Sequence, residues 1–567
     1  SMIERVEVMR GGGSALFGSS AIAGTINIIT KEPLRNSGQL SHTLTALGGG
    51  SSFDNNTSLN ASLVTDDHRA GLYIFGQNRH RSGYDYDGDG FTELPKLKNQ
   101  TVGFRSYLKT STYSKLTFEY HHMQEFRRGG DMLDRPPHEA HIAEQLQHSI
   151  DGGSLKFDYF SPDEKNRLSI FASAANTDRD SYYGPGNDPL KAYGKTTDLT
   201  AMGGAQYVHT FDKCFFMPSD LTAGLEYNRD RLKDNMWGYD RHTDQTVNIY
   251  SAFLQNEWKN DRWGILIGGR LDKHNMVDNV IFSPRANLRF NPTQNINLRL
   301  SYSSGFRAPQ AFDEDMHIEN VGGTVAMIER AKNLKEEKSQ SFSASADMYH
   351  RFGVFQTNFL IEGFYTRLTD VFVLGEPYDR GDGILVKPRS NGPGAKVMGL
   401  TLEGKVAYLS ILQIQAGLTL QRSRYDEPHK WHDDAPAEKK IFRTPDTYGY
   451  FTATYTPVKP LSIALSGTYT GRMSVQRMDI TAENAELGAM PERKAEAIRT
   501  PRFFDLGVKL AYDFKLYKTV DLQLNGGVQN LFESYQKDFD RGANRDSGYI
   551  YGPSLPRSFF AGVKISY

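Results

Sequence analysis

Three groups of residues have the types and spacing to do chemistry. Asp85, Asp87 and Asp89 stand at positions one, three and five of a loop with Gly90 at six and Glu93 at nine, the oxygen pattern of an EF-hand-like calcium loop. Lys96 occupies position twelve, where a bidentate glutamate would sit. The segment is therefore a half-match, read either as a structural calcium site or as an acidic hairpin tip, and no other cofactor is required. His121, His122, His138, His141 and His148 fall close together along the chain. Imidazoles on a loop can coordinate haem iron or a transition metal; the plainer reading is a set of surface histidines. His138 and His141 are three apart and do not form HExxH, so zinc-protease chemistry is unsupported. Arg307 can grip an anionic ligand with both arms of its guanidinium, or pair with Asp313, Glu314 or Asp315 to hold its own loop. Aromatics at loop ends, Trp237 among them, can stack on a planar ligand or pack within the loops.

A fourth candidate is the stretch 10–30, where Gly11, Gly12, Gly13, Gly18 and Gly24 allow positive φ and close backbone approach. Gly13-Ser-Ala-Leu-Phe-Gly18 has the spacing of a phosphate-binding loop. Ser19 and Ser20 follow it, with no lysine for the phosphates and no helix expected next. The chain instead enters a β-branched run, Thr25-Ile-Asn-Ile-Ile-Thr30, that reads as a strand.

The elements that must position these groups are strands. Ile296, Leu298, Leu300 and Tyr302 interleave with Asn297, Arg299, Ser301 and Ser303; Leu412, Ile414, Ala416, Leu418 and Leu420 interleave with polar residues and Gly417. Periodicity alone does not say whether the apolar face meets a core or lipid. Connection lengths decide it. From Ser37 onward about twenty-two strands can be counted, with short turns near 66–69, 111–114, 161–166, 260–261, 291–295, 350–353, 408–410, 457–460 and 515–518. Long loops lie between them at 82–99, 129–144, 180–195, 230–245, 305–338, 375–395, 425–441, 473–500 and 533–553. Short turns at one rim and long loops at the other describe an up-and-down barrel in an outer membrane, with an even strand count.

Composition agrees. A chain of 567 residues would by prior hold several soluble domains, yet no linker divides it after about residue 35. The net charge of −1 argues against a nucleic-acid partner, and the apolar runs fall short of the roughly 18 residues a membrane helix needs. Negative mean hydropathy is compatible with a barrel, which faces lipid with alternate residues only. The 30 tyrosines, 33 phenylalanines and 53 glycines suit aromatic girdles and tight turns, and one cysteine, Cys214, rules out an intrachain disulfide framework.

Ile3-Glu-Arg-Val-Glu-Val8, the Arg10-Gly11 pair, Phe17-Gly18 and Ala21-Ile-Ala-Gly24-Thr-Ile-Asn27-Ile together resemble the end of the plug domain of TonB-dependent outer-membrane receptors; Gly12 and Ala23 depart from the usual proline and glycine. Tyr302-Ser-Ser-Gly-Phe-Arg-Ala-Pro309, followed by Asn333-Leu-Lys-Glu-Glu-Lys-Ser339, resembles the family's mid-barrel loop motif, with Glu336 at a usual proline. Phe559, Ala561, Val563, Ile565 and Tyr567 resemble its C-terminal strand signal. The resemblance implies an all-β fold: a 22-stranded antiparallel transmembrane barrel over 36–567, preceded at 1–35 by the C-terminal remnant of a plug. It places Arg10, Gly11, Gly13, Gly18, Gly24 and Asn27 in the plug motif. It also implies a monomeric importer of a small metal chelate in the outer membrane of a Gram-negative bacterium, ferric siderophore or haem first and cobalamin next, with no bond made or broken. TonB would act through an upstream plug segment, without which residues 1–567 would form an open or unstable pore. The alternatives are a non-transporting barrel acting as adhesin or pore and, third, a secreted all-β enzyme.

Overall fold

Alternate residues of each strand meet different surroundings, and the wall is built from that division. The computed structural model describes residues 2–185, 192–321, 324–432, 434–480, 493–543 and 545–567. From Ser37–Leu47 to Ser558–Ser566 the chain runs as a closed barrel of 22 antiparallel strands, each next to its neighbour in sequence. The first strand also pairs with the last, from Gln39↔Ser566 to Leu47↔Ser558. A three-residue strand, Glu438–Lys440, adds to the flank of Leu412–His429. Among the described residues no helix is long and apolar enough to cross a membrane, so crossing falls to the strands.

Leu298, Leu300, Leu400, Leu418 and Leu420 are exposed on the outer wall, where lipid takes the place of a core. Ring pairs mark the short-turn rim: Trp263 stacks on Phe290 at 4.3 Å, and Phe355 meets Tyr408 at 5.0 Å. Polar residues between these positions line the lumen. This inverts a soluble sandwich, and the expected alternation is present in the register.

The rim carrying both barrel ends has ten connections and the opposite rim eleven. Two points differ from the expected rhythm. Cys214 and Met217 are joined by a tight turn, with Phe215 at φ 61, where the aromatic sequence gives no turn signal. On the long-loop rim, 48–51 and 275–280 are short, the first made by Gly48, Gly49 and Gly50, all at positive φ.

Among the described residues, several of the other outward connections fold onto one another. Strands Thr324–Arg330 and Leu385–Asn391, from two different loops, pair in parallel from Ala326↔Leu385 to Arg330↔Arg389. Tyr182 and Tyr183 at the outer end of strand Asn166–Pro185, Met236 at that of Met217–Met236, and Met327 and Ile384 from two loops share a buried cluster. The long-loop rim thus carries a small core of its own.

Inside the barrel lies an N-terminal hairpin, Ile3–Arg10 against Gly24–Thr30, joined through a helical turn at Ser14–Phe17. Its cross-strand pairs Val6↔Ile28 and Val8↔Ile26 form an apolar ladder whose four side chains are all more than half exposed.

Candidate functional site

The glycine-rich turn is where hairpin and wall interlock. Gly11 has φ 80, and a Cβ there would lie 2.8 Å from Cβ of Ser341. A Cβ on Gly12 would lie 2.7 Å from the carbonyl carbon of Ser304, so residues without side chains let two backbones touch. The Gly12 amide donates to Oγ of Ser341 at 2.9 Å. Arg10 donates to Oγ1 of Thr401 at 3.1 Å and pairs with Glu362 and Glu403 at 3.4 and 3.8 Å. Gly13 packs near Thr25 and Gly24 under the Met9 carbonyl, while Asn27 donates to Glu7 within the hairpin at 3.2 Å.

Both halves of the mid-barrel motif grip the same turn. The Phe306 amide donates to Oγ of Ser14 at 3.0 Å, and its carbonyl accepts from the Ser20 amide at 2.8 Å. Ser339 donates to the Ile22 carbonyl at 2.6 Å. Gly305 faces the Ala21 carbonyl so closely that a Cβ would stand 2.5 Å away. Arg270, almost fully buried, lies over Gly18 and is held by Glu226 at 2.6 Å and Asp272 at 2.8 Å. That triad is a contact sequence reasoning missed; its only signal is charge at inward positions of neighbouring strands.

Above the interlock, Arg307 leads into the helical turn Asp313–Met316, whose acids meet several arginines. Asp313 pairs with Arg179 at 2.8 Å, Glu314 with Arg307 and with Arg389 at 3.1 Å, and Asp315 with Arg389 at 2.7 Å. Arg241 donates to the Met316 carbonyl at 2.9 Å and to Asp234 at 2.8 Å. The Arg307 guanidinium also lies 3.9 Å from the Phe312 ring centre. Burial opposes charge on Glu314, but Arg307 and Arg389 hold its carboxyl below the usual range. Burial pushes Asp315 up despite the Phe312 amide and Arg389. Of its two expected roles, Arg307 here takes the pairing one, and the acidic turn is strapped across the mouth.

The histidines are not brought together. His121 lines the lumen wall against Gly152, His138 bonds the Tyr193 hydroxyl at 2.9 Å, and His141 bonds Asp131 at 2.6 Å. Trp237 stands exposed at the outer rim, while Tyr239 beside it is buried and donates to the Tyr183 carbonyl.

Asp85, Asp87 and Asp89 do converge: among the described residues they are the one acidic or histidine group with ligand atoms within 4.8 Å of one another. Asp85 accepts from the Gly88 and Gly90 amides at 2.7 and 2.8 Å, and Glu93 from the Tyr86 amide at 2.6 Å. Two arginines from a distant loop supply positive charge: Arg541 reaches Asp87 at 3.0 Å, and Arg545 reaches Asp89 at 2.6 Å and Glu93 at 3.2 Å.

The sequence matches the family described as TonB dependent receptor-like, beta-barrel, over residues 25–531. Among curated proteins it is 26% identical over 320 residues to the iron-regulated outer membrane virulence protein of Vibrio cholerae, covering 54% of this chain and 45% of that one. It is 24% identical over 328 residues to the vitamin B12 transporter BtuB of Vibrio vulnificus, covering 55% and 48%. The matched stretch spans about half the length of these relatives. Among solved structures, the siderophore receptor PirA of Acinetobacter baumannii superposes with a TM-score of 0.77 at 16% identity, over 100% of this chain and 85% of that one. At that identity the likeness is one of fold.

Two outcomes follow from the geometry. Arg389→Ala removes the ion-pair partner of the buried Asp315 and leaves it only the Phe312 amide, a change that costs about 3–5 kcal/mol. Hydrogen exchange at the 312–316 amides is expected to accelerate at least a hundredfold, and unchanged exchange would remove the strap. At the acidic tip, burial raises the Glu93 carboxyl above 4.5, against the opposing pull of the Tyr86 amide and Arg545. A raised carboxyl binds its proton more readily folded than unfolded, so the tip loses stability as pH climbs from the ordinary glutamate value through the raised one. Proteolysis near 85–93 across that window, in wild type and more steeply in Arg545→Ala, is the check.

Proposed function

Since the chain belongs to the TonB dependent receptor-like β-barrel family, we propose that it imports a metal chelate across the outer membrane, a ferric siderophore or haem first and cobalamin next. The barrel lies in the outer membrane, and its family and structural neighbours are transport receptors rather than enzymes. The observation that carries the reading is a lumen that is not left empty: a hairpin is keyed into the wall by Gly12, Phe306 and Ser339, beneath outward segments that pack on one another. A pore meant for free diffusion has no use for either. A ligand too large or scarce for diffusion needs both, one to recognise it and one to release it.

Residues 1–35 are, in this reading, the C-terminal remnant of a plug. The bare Val6, Val8, Ile26 and Ile28 ladder supports it, since apolar side chains exposed to a wet lumen call for a covering layer. TonB would pull on a segment of that layer, and the barrel would act as a monomer. Arg307, His138 and His141 are already engaged in the loops and His121 lies against Gly152 in the wall, which leaves Trp237 as the exposed aromatic of that set for a planar ligand. We assign no catalysis to the protein.

Growth on defined ferric siderophores, haem or cobalamin, with and without the gene, tests the proposal. Loss of growth on one of these sources is expected; equal growth on all of them would leave the protein without an import role. At the acidic tip, we infer that Arg541 and Arg545 balance the carboxylates instead of a calcium ion at Asp85, Asp87, Asp89 and Glu93. Protease protection of 85–93 is then indifferent to a chelator, and calcium-dependent protection would reverse the assignment.

A further inference from the structure

The outer wall between Ile296–Arg307 and Leu412–His429 carries three rows of side chains set by cross-strand register, two residues apart along each strand. The lowest row is Leu300, Ala344, Gly363 and Leu400; the next is Phe342, Tyr365, Met398 and Arg422. The row nearest the long-loop rim is Arg367, Lys396 and Arg424. Ala344 and Gly363 are flanked by much larger side chains, so the wall is dented there. The dent is a groove of about 1190 Å³ that reaches Arg422 at its upper edge. A second hollow of about 600 Å³ continues it along Ala344, Ala346 and Gly363. A Cβ built on Gly363 meets nothing within 4 Å, so the floor is open to the outside.

The charge above the groove is unbalanced. Asp426 holds Arg367 at 2.8 Å and Lys396 at 3.1 Å, and one carboxylate does not neutralise both. Arg422 and Arg424 have no ion-pair or side-chain hydrogen-bond partner among the described residues. Hydrocarbon must fill an apolar groove on a lipid-facing wall, and unpartnered guanidiniums at the interface attract phosphate, which they can grip with two hydrogen bonds. A lipid whose headgroup carries its own ammonium would neutralise its phosphate itself. A headgroup with net negative charge would not.

We propose that this groove is a binding site for a phosphorylated, multiply acylated outer-leaflet lipid, its phosphate on Arg422 and Arg424 beside Lys396 and its acyl chains along the Ala344–Gly363 floor. The assignment rests on the barrel's place in the outer membrane and is independent of which ligand, if any, is imported.

The test titrates the purified full chain in mild detergent with lipid A, with dephosphorylated lipid A and with phosphatidylethanolamine, read by native mass spectrometry. Wild type is expected to retain lipid A against both other lipids, and Arg422→Ala/Arg424→Ala to bind it roughly thirtyfold more weakly. Gly363→Phe fills the floor without a backbone clash and is expected to weaken binding with the arginines intact. Equal retention of the three lipids by wild type, or wild-type affinity in both variants, overturns the proposal. Binding lost in the double variant but untouched by Gly363→Phe overturns the placement of the acyl chains.

Discussion

A sheet that lies in hydrocarbon has nowhere to leave an unpaired amide, and this requirement governs the rest of the molecule. It is met by bringing the strand at Ser37–Leu47 against the strand at Ser558–Ser566, so that the wall has no edge. Once closed, the wall fixes which side chains look inward. Arg270, Ser341, Glu362 and Thr401 are lumenal because of their parity in the register, and the hairpin finds its contacts among them. The geometry of the lumen is inherited from the pairing of the backbone.

Within that frame, two sequence motifs far apart along the chain prove to be halves of one joint. Gly305, Phe306 and Ser339 do not reach for a ligand; they receive Ser14, Ser20 and Ile22. This gives a physical reason for glycine and small hydroxyl residues at those positions, since any added bulk would separate the two backbones. Arg307, next in sequence, turns upward to the acidic strap instead. One short segment thus connects the hairpin joint to the acidic strap.

The wall was legible in the sequence because alternation and connection length both record it. Ile296 to Ser303 and Leu412 to Gln421 carry the two faces openly, and the strand count from Ser37 follows from the rhythm of turns. The turn at Phe215 escaped because nothing in the sequence around Cys214 marks it, and 48–51 escaped because a short outward connection breaks that rhythm. The mouth was much less legible. That Asp313, Glu314 and Asp315 would meet Arg179 and Arg389, or that Arg545 would reach Asp89, depends on loops meeting across the rim, and no local pattern encodes it. The histidines show the converse, since closeness along the chain did not become closeness in space.

The seam between the outermost strands also sets a rule for biogenesis. Neither edge has its partner until the final nine residues of the sheet, Ser558–Ser566, are in place, so a partly assembled wall always carries two unsatisfied borders. Whatever assembles the wall must shield both, and release becomes safe only when the last strand zips onto the first.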